Sequence, residues 1–339
     1  MDGHVTSEKC GALGLLTLAR PQALNALTHG MIRALGAQLA AWARDDAVKA
    51  VAIRGEGRGF CAGGDVRAVR EAVLAGSDAG LALLRDEYRL NALIGSYPKP
   101  YVALLHGIVM GGGAGVSIHG RYRLADSSLA FAMPETAIGF IPDVGASHFL
   151  SRLPGGLGLY LGLTGARIGL EDARDAGLVT HAVDAENFDS VIAALGSGEC
   201  VDAAIRPFVR QIGPGKLAAH RSRIANLFGG ATLEAVLERL DRDGGDFARH
   251  AAQTMRAMSP TSLKLTFREI RAGAKLDLKQ CLAMEYRLAA RVIHSPDFAE
   301  GVRAALVDKD RAPRWQPASL AAVKDSDGFF APLPQKELF

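Results

Sequence analysis

The stretch YVALLHGIVMGGGAGVSIHG, residues 101–120, begins with an apolar run and changes at Met110 to a turn rich in glycine. The run 101–106 predicts a buried strand, and residues 112–119 predict a helix directly after the turn. A strand, a glycine turn and a helix in succession are typical of an α/β fold, with helices covering a sheet. The glycine triplet interrupts residues 101–118, and His119 and Arg121 follow them, so these residues are not predicted to cross a membrane.

The glycine triplet of MGGGAG, residues 110–115, is also a candidate binding turn. Glycine has no Cβ, so a ligand can approach the backbone closely, and the N–H groups at a helix start carry partial positive charge. Such a turn can bind an anion, or an oxygen on which negative charge develops. Neither a P-loop lysine nor the spacing of a dinucleotide fingerprint is present. Close helix packing through small residues is the structural alternative.

A second glycine turn, FCAGGD at 60–65, follows the short apolar run AVAIR at 50–54. Asp65 is a suitable N-cap for a helix over 66–75, so this turn also lies between a strand and a helix. Two turns of this type can each supply one backbone N–H group. Together they suit an oxyanion hole for a carbonyl or thioester oxygen.

Two acids lie in the apolar stretch AMPETAIGFIPDVG, residues 132–145: Glu135 and Asp143. Pro134, Gly139 and Pro142 prevent one continuous helix, which predicts a shaped loop that aims both acids at a common point. A carboxylate in dry surroundings is costly to keep charged unless it has a function. The alternative is one acid that caps the loop and another at the surface.

Several motifs in order carry a family resemblance. They are RPQALNAL (20–27), FCAGGD (60–65), HGIVMGGGAG (106–115), MPETAIG…PDVG (133–145), SPTSLKLT (259–266) and EGVRAALVDKDRAPRW (300–315). The chain resembles the enoyl-CoA hydratase/isomerase, or crotonase, superfamily, and within it most resembles the 3-hydroxyisobutyryl-CoA hydrolases. The resemblance implies a ClpP/crotonase-type spiral of ββα units with an α-helical C-terminal region.

The resemblance assigns roles to four positions. The backbone N–H groups of Gly64 and Gly112 match the oxyanion hole of the family. Glu135 matches the acid that hydratases and hydrolases share, and Asp143 matches the aspartate of the hydrolase branch. These residues are the expected catalytic and substrate-binding set.

Two further positions bear on the reaction. Hydratases place a second catalytic glutamate where this chain has Gly115, and hydration usually needs two carboxylates, so the hydratase pair is incomplete. Glu87 matches a substrate-binding position of the hydrolases. The alternative for Glu87 is a solvated helical acid beside Arg85 and Arg89.

The expected activity is therefore hydrolysis of a short β-hydroxyacyl-CoA, 3-hydroxyisobutyryl-CoA in valine breakdown. Glu135 would attack the carbonyl carbon or act as general base toward water. The alternatives are a hydratase or isomerase of short acyl-CoA, and a silent acyl-CoA-binding protein. Coenzyme A enters with the substrate, so no separate cofactor is expected. Gln22 stands where family members often carry lysine, which leaves Lys264, Arg268 and Lys275 as candidate phosphate contacts.

Composition limits the other classes of function. A net charge of +3 and the lack of a basic, aromatic-rich run argue against a nucleic-acid partner. The four cysteines are scattered, which predicts neither a metal site nor a disulfide framework, and Cys61 is expected to pack rather than react. The first residues match neither a secretory signal nor a good transit peptide. We expect a cytoplasmic protein without membrane contact. A homo-oligomer is a possible state of it.

Hydrophobic periodicity sets the expected organisation. A helix over 28–44 should begin at Thr28, and strands are expected at 14–18, 122–125 and 129–132. From about residue 156 the pattern is helical. We predict a catalytic core over 1–195, a packed α-helical C-terminal region over 196–339, and an extended surface tail over 312–339.

Overall fold

The computed structural model describes residues 3–324, 326–334 and 337–339. The chain divides into two compact units. The first unit comprises Met1–Gly64, Arg89–Phe131 and Ile168–Ala218, and the second comprises Asp65–Tyr88, Ala132–Arg167 and Ala219–Phe339. The division into a core over 1–195 and a C-terminal region over 196–339 stays a prediction, since compactness alone does not define a catalytic domain.

The strands form a six-stranded sheet and a separate pair. They are β1 (Val5–Cys10), β2 (Leu13–Leu18), β3 (Ala50–Gly55), β4 (Tyr101–Leu105), β5 (Ile108–Met110), β6 (Tyr122–Ala125), β7 (Ala130–Ala132) and β8 (His181–Ala182). The large sheet has the order β1-β2-β3-β4-β6-β8, and β5 pairs with β7. Only β1 is antiparallel to its neighbour in the large sheet.

The helices, numbered along the chain, are α1 (His29–Ala43), α2 (Val66–Leu74), α3 (Ala79–Gly95), α4 (Gly112–Gly115), α5 (Ala146–Leu150), α6 (Leu157–Thr164), α7 (Leu170–Asp175), α8 (Phe188–Gly196), α9 (Val201–Ile205), α10 (Arg221–Phe228), α11 (Leu233–Asp243), α12 (Asp246–Ala257), α13 (Pro260–Gly273), α14 (Leu278–Val292), α15 (Pro296–Val302) and α16 (Asp327–Phe330). A π-helical turn, Arg303–Val307, continues α15. The 3-10 turns are Pro21–Ala23, Glu135–Ile138, Pro154–Gly156, Ala185–Asn187, Arg206–Phe208, Lys216–His220 and Leu320–Ala322.

The core of the first unit lies on the parallel part of its sheet. Every residue of β2 and β4 is buried, as expected for strands covered on both faces. Phe188, Val191 and Ile192 of α8 pack in one hydrophobic cluster with strand residues such as Leu15 and Leu104. This cluster is the α/β arrangement that the sequence predicts.

Side-chain caps fix several helix starts. Thr28 Oγ1 accepts the N–H of Met31 at 3.1 Å, and Asp65 Oδ1 accepts the N–H of Ala68 at 3.2 Å. Both caps lie where the sequence predicts them. Asp277 begins α14 with a full capping box, in which Gln280 is the second partner.

The local structure differs from the sequence-based expectations at three places. The helix predicted over 112–119 ends at Gly115, because Val116 and the residues after it form turns. The edge strand β1 was missed, since only one of its six residues is buried. The tail predicted as extended contains a 3-10 turn and α16, although residues 325, 335 and 336 lie outside the described part.

Candidate active site

The two glycine turns of the first unit lie side by side. Cys61 forms a parallel bridge with Val109, in which Cys61 N donates to Ile108 O at 3.0 Å and Met110 N donates to Cys61 O at 3.0 Å. A Cβ on Gly63 would lie 3.8 Å from the backbone nitrogen of Gly112. The sequence predicts that these turns act together because each can supply one backbone N–H group, and hydrogen bonds between their backbones join them.

Gly112 is the first residue of α4, and its conformation depends on the residue before it. Gly111 has φ 48° and ψ −122°, a combination that requires glycine. The N–H of a first helical residue has no partner inside the helix. Gly112 therefore has the backbone geometry of an oxyanion donor, and Gly64 directly precedes Asp65, the N-cap of α2. Their assignment as the oxyanion hole stays a prediction.

In the second unit, the loop with both acids is tightly folded. Glu135 begins the 3-10 turn Glu135–Ile138, which ends at Gly139 with φ 69°. A Cβ on Gly139 would lie 2.2 Å from the carbonyl oxygen of Asp297, so α15 packs against this turn at a distance only glycine permits. Asp143 follows, and its carbonyl oxygen accepts the N–H of Ala146 at 2.9 Å. Loop and helix together bury both acids.

Three carboxyl groups, Glu87, Glu135 and Asp143, form the buried carboxyl cluster of the second unit. Their residues are 2%, 6% and 5% exposed. The hydroxyl of Tyr88 donates to Asp143 Oδ2 at 2.7 Å. Among the described protein atoms, Glu87 Oε1 and Glu135 Oε2 have no hydrogen-bond partner, so each can bind a ligand atom. The solvated alternative for Glu87 was wrong, as was a surface position for Asp143.

Burial and mutual repulsion raise the pKa values of all three acids. Burial, and then the charge of Asp143, hold the pKa of Glu135 and of Glu87 well above the ordinary value. Burial raises the pKa of Asp143 to about 7, although the hydrogen bond from Tyr88 opposes the increase. The charge of Asp143 thus disfavours ionisation of both neighbouring glutamates.

Sequence reasoning missed three residues around this cluster. Tyr88 supplies the hydrogen bond to Asp143, and Glu269 of α13 and Glu285 of α14 are both 0% exposed. A signal existed for the glutamates, because each lies on the buried stripe of an amphipathic helix, where an acid is unusual. Nothing in the sequence marked Tyr88.

The other candidates do not join this cluster. Cys61 is buried with its sulfur 3.1 Å from the carbonyl oxygen of Asn25, which agrees with packing. Of the expected phosphate contacts, Lys264 pairs with Glu234 at 3.4 Å and Arg268 pairs with Asp327 at 2.7 Å. Lys275 is exposed. The structure does not rank these cations as ligands of coenzyme A.

The described residues contain neither a candidate metal site nor a candidate membrane-spanning helix. Within residues 3–324, 326–334 and 337–339, no group of histidine, cysteine and acidic side chains could hold a metal ion. Over the same residues, none of the helices has the length and apolar character that crossing a bilayer requires.

A sequence model of the enoyl-CoA hydratase/isomerase family matches residues 13–328. This range includes both glycine turns and the whole carboxyl cluster. The chain belongs to the enoyl-CoA hydratase/isomerase family. The resemblance stated from the motifs is confirmed, and the match extends over most of the C-terminal helices.

Similar family members cover nearly the whole chain. A protein of Xenopus tropicalis named 3-hydroxyisobutyryl-CoA hydrolase, mitochondrial, is 45% identical over 350 residues, which is 99% of this chain and 91% of that protein. The Homo sapiens protein of the same name is 43% identical over 335 residues, covering 96% and 87%. These names contradict the expected cytoplasmic location, which was wrong. Scattered cysteines do not distinguish one compartment from another.

Solved structures of the family confirm the crotonase-type fold. A carnitinyl-CoA dehydratase from Mycobacterium thermoresistibile has a TM-score of 0.95 and 42% identity, covering 100% of this chain and 99% of that one. An enoyl-CoA hydratase from Rhodobacter sphaeroides 2.4.1 has a TM-score of 0.93 and 38% identity, covering 99% and 100%. These two solved proteins are named as a dehydratase and a hydratase, whereas the vertebrate relatives are named as hydrolases.

Proposed function

We propose that this protein hydrolyses 3-hydroxyisobutyryl-CoA to 3-hydroxyisobutyrate and coenzyme A. This is the reaction given by the names of its vertebrate relatives. The observation that carries the proposal is the buried pair Glu135 and Asp143 in a chain with Gly115. Glycine at 115 leaves hydration without a second carboxylate at that position. The hydrolytic reaction needs one carboxylate that attacks or activates water, and this chain has it.

The proposed chemistry begins at the thioester carbonyl. The N–H groups of Gly64 and Gly112 hold its oxygen, and the ionised fraction of Glu135, whose pKa is raised, attacks its carbon as the carboxylate, which releases the coenzyme A thiolate and leaves a mixed anhydride. Water then cleaves the anhydride, which gives the product carboxylate, regenerates the Glu135 carboxylate and frees two protons. One of them protonates the thiolate and the other is released. Alternatively, Glu135 removes a proton from water that attacks directly.

The other acids have roles that fit their charges. Asp143, with a pKa raised to about 7, accepts a hydrogen bond from the substrate hydroxyl or from water when it is ionised. Burial and the charge of Asp143 raise the pKa of Glu87 and favour its protonated form, which can donate a hydrogen bond to the substrate. Burial around both groups strengthens these interactions, because the effective dielectric constant is low.

The reaction type is tested directly. Purified protein should release free thiol from 3-hydroxyisobutyryl-CoA and from 3-hydroxypropionyl-CoA, measured with a thiol-reactive chromophore. Loss of the conjugated absorbance of crotonyl-CoA without thiol release would support the second candidate, a hydratase, which is favoured by the similarity to a solved enoyl-CoA hydratase and a solved carnitinyl-CoA dehydratase.

Asp143→Asn should change the pH dependence as well as the rate. The amide still accepts the hydrogen bond from Tyr88, but the charge that raises the pKa of Glu135 and Glu87 is gone. Turnover should fall by about tenfold or more, in the range of a lost acid–base contribution. The limb of the rate profile governed by Glu135 should move to lower pH.

The measurement is kcat and kcat/KM from about pH 5 to 9 for both proteins, where the lower bound lies near ordinary carboxyl values. Glu71→Gln on the exposed face of α2 is the control, since it removes a solvated acid. An unchanged profile in the Asn variant would mean that Asp143 does not influence the reacting group.

A further inference from the structure

Glu285 of α14 makes three hydrogen bonds to the backbone and side chain just after Asp143. Its Oε2 accepts the N–H of Gly145 at 2.6 Å. Its Oε1 accepts the N–H of Ser147 at 2.8 Å and the hydroxyl of Ser147 at 2.5 Å. The residue is 0% exposed, so water does not compete for these donors. Glu285 is 140 residues from Gly145 and 138 residues from Ser147 along the chain. The contacts are therefore part of the tertiary structure rather than of a local turn.

The backbone that these hydrogen bonds hold is strained. Val144 has φ 54°, a conformation that a β-branched residue rarely adopts, and Gly145 follows with φ 87°. Two successive left-handed residues reverse the chain directly after Asp143. They therefore fix the direction of the Asp143 side chain, whose Oδ2 meets the hydroxyl of Tyr88. A strained turn persists only where its surroundings hold it, and Glu285 supplies that support.

We propose that Glu285 is a positioning residue, which accepts the N–H groups of Gly145 and Ser147 and thereby holds the left-handed turn that aims Asp143. The inference rests on the proposed function, because Asp143 has its role in turnover there. Glu285 contacts the turn, and its assigned role acts through Asp143.

Electrostatics also couples Glu285 to Asp143. Burial raises the pKa of Glu285 to about 8, the three donors oppose the increase, and the charge of Asp143 adds to it. Asp143, with a pKa of about 7, ionises first, so its charge acts on Glu285 rather than the reverse. The titratable groups with an electrostatic effect on Glu285, or subject to one from it, are Asp143, Tyr88 of α3, Glu269 of α13 and Cys281 of α14.

The test is Glu285→Gln. Glutamine has the same size but offers one acceptor oxygen instead of two, so the N–H of Gly145 or Ser147 faces an amide donor. Hydrogen exchange at these two amides should speed up by about tenfold or more. Turnover should fall by about 10- to 100-fold, the scale expected when a reacting group is misplaced. The loss should appear in kcat, while the pH limb governed by Asp143 should stay near its wild-type position, because Asp143 ionises at lower pH than Glu285.

Asp297→Asn is the matched control, because it also removes a buried carboxylate of the second unit. Asp297 is 1% exposed and accepts the Ser259 hydroxyl at 2.5 Å and the Gln316 N–H at 2.6 Å. This variant should lose thermal stability, yet keep the wild-type exchange at Gly145 and Ser147. Comparing Asp297→Asn with Glu285→Gln separates the general effect of losing a buried hydrogen bond from the specific effect of misdirecting Asp143.

Two outcomes would overturn the inference: wild-type amide exchange in Glu285→Gln, or wild-type turnover together with a lower melting temperature. If that variant does not fold, Ser147→Ala removes one donor only, and exchange at Gly145 should still increase. If wild-type protein releases no thiol from any acyl-CoA, the proposed function fails. The exchange experiment would then still decide whether Glu285 holds the turn.

Discussion

Glu135→Gln should abolish nearly all thioester hydrolysis while the variant still binds a coenzyme A ester. The amide has the size of the carboxyl group but cannot attack a carbonyl carbon or accept a proton well. Losing either role lowers turnover by about 10³-fold or more, because general bases alone contribute roughly 10²- to 10⁴-fold. The measurement is thiol release under single-turnover conditions, with binding of a non-hydrolysable thioether analogue by calorimetry.

The stability of the same variant separates catalysis from folding. Glu135 is buried, its Oε2 has no partner among the described protein atoms, and its pKa is well above the ordinary value. A raised pKa in the folded state means that the folded protein binds more protons than the unfolded chain above pH 4.5, the ordinary value. Wild-type stability therefore falls as pH rises from there toward the raised pKa.

Glu135→Gln removes this loss, so at pH 8 it should melt at the wild-type temperature or above while turnover is lost. Glu71→Gln, at an exposed position of α2, should change neither property. Wild-type hydrolysis by a folded Glu135→Gln protein would contradict the carboxylate mechanism. Glu87, the other acid of the cluster with an oxygen that lacks a partner among the described residues, would then be tested in the same assay.

Much of the architecture could be predicted from local sequence signals. The caps Thr28 and Asp65, the apolar run of β4 and the glycine turn before α4 each follow from residue chemistry within a few positions. These signals are local because a cap or a buried strand is specified by adjacent residues. The edge strand β1 has no such signal, since its pairing with β2 and not its burial pattern makes it a strand.

The surroundings of the acids could not be predicted in the same way. Tyr88 and Asp143 are 55 residues apart, and their hydrogen bond depends on tertiary packing alone. Val144 in a left-handed conformation contradicts the preference of a β-branched residue, so local propensity predicts the wrong backbone there. Places where the structure overrides local preference are expected at functional sites, because the strain must be offset by contacts elsewhere. The shared loop of Glu135 and Asp143 could be predicted without knowing the Tyr88 contact or the backbone conformation of Val144.

The names of the similar proteins divide between hydrolysis and addition or removal of water across a double bond. The fold is common to both, so it does not decide the reaction. Gly115 argues for hydrolysis. A hydratase usually needs two carboxylates around the double bond, one as base and one as acid, and glycine at 115 leaves one of these positions without an acid.

Gly112→Pro should lower turnover by at least about 100-fold, because it removes the N–H that we assign to the thioester oxygen. Proline is tolerated at the first position of a helix, which is the position of Gly112 in α4. Gly111 has ψ −122°, outside the α region that a following proline disfavours. The variant should therefore fold, and its melting temperature measures any damage to the turn.

Gly112→Ala is the matched control for the proline variant, since it adds a Cβ at the same buried position and keeps the N–H group. Any effect of the added side chain is shared by both variants, so the ratio of their kcat values isolates the lost donor. We expect a ratio of about 100 or more, corresponding to about 2.7 kcal/mol or more of transition-state stabilisation. KM should differ little, because the oxygen becomes negative only in the transition state. Equal kcat values in the two folded variants would remove the Gly112 N–H from the oxyanion hole and leave its turn with a packing role alone.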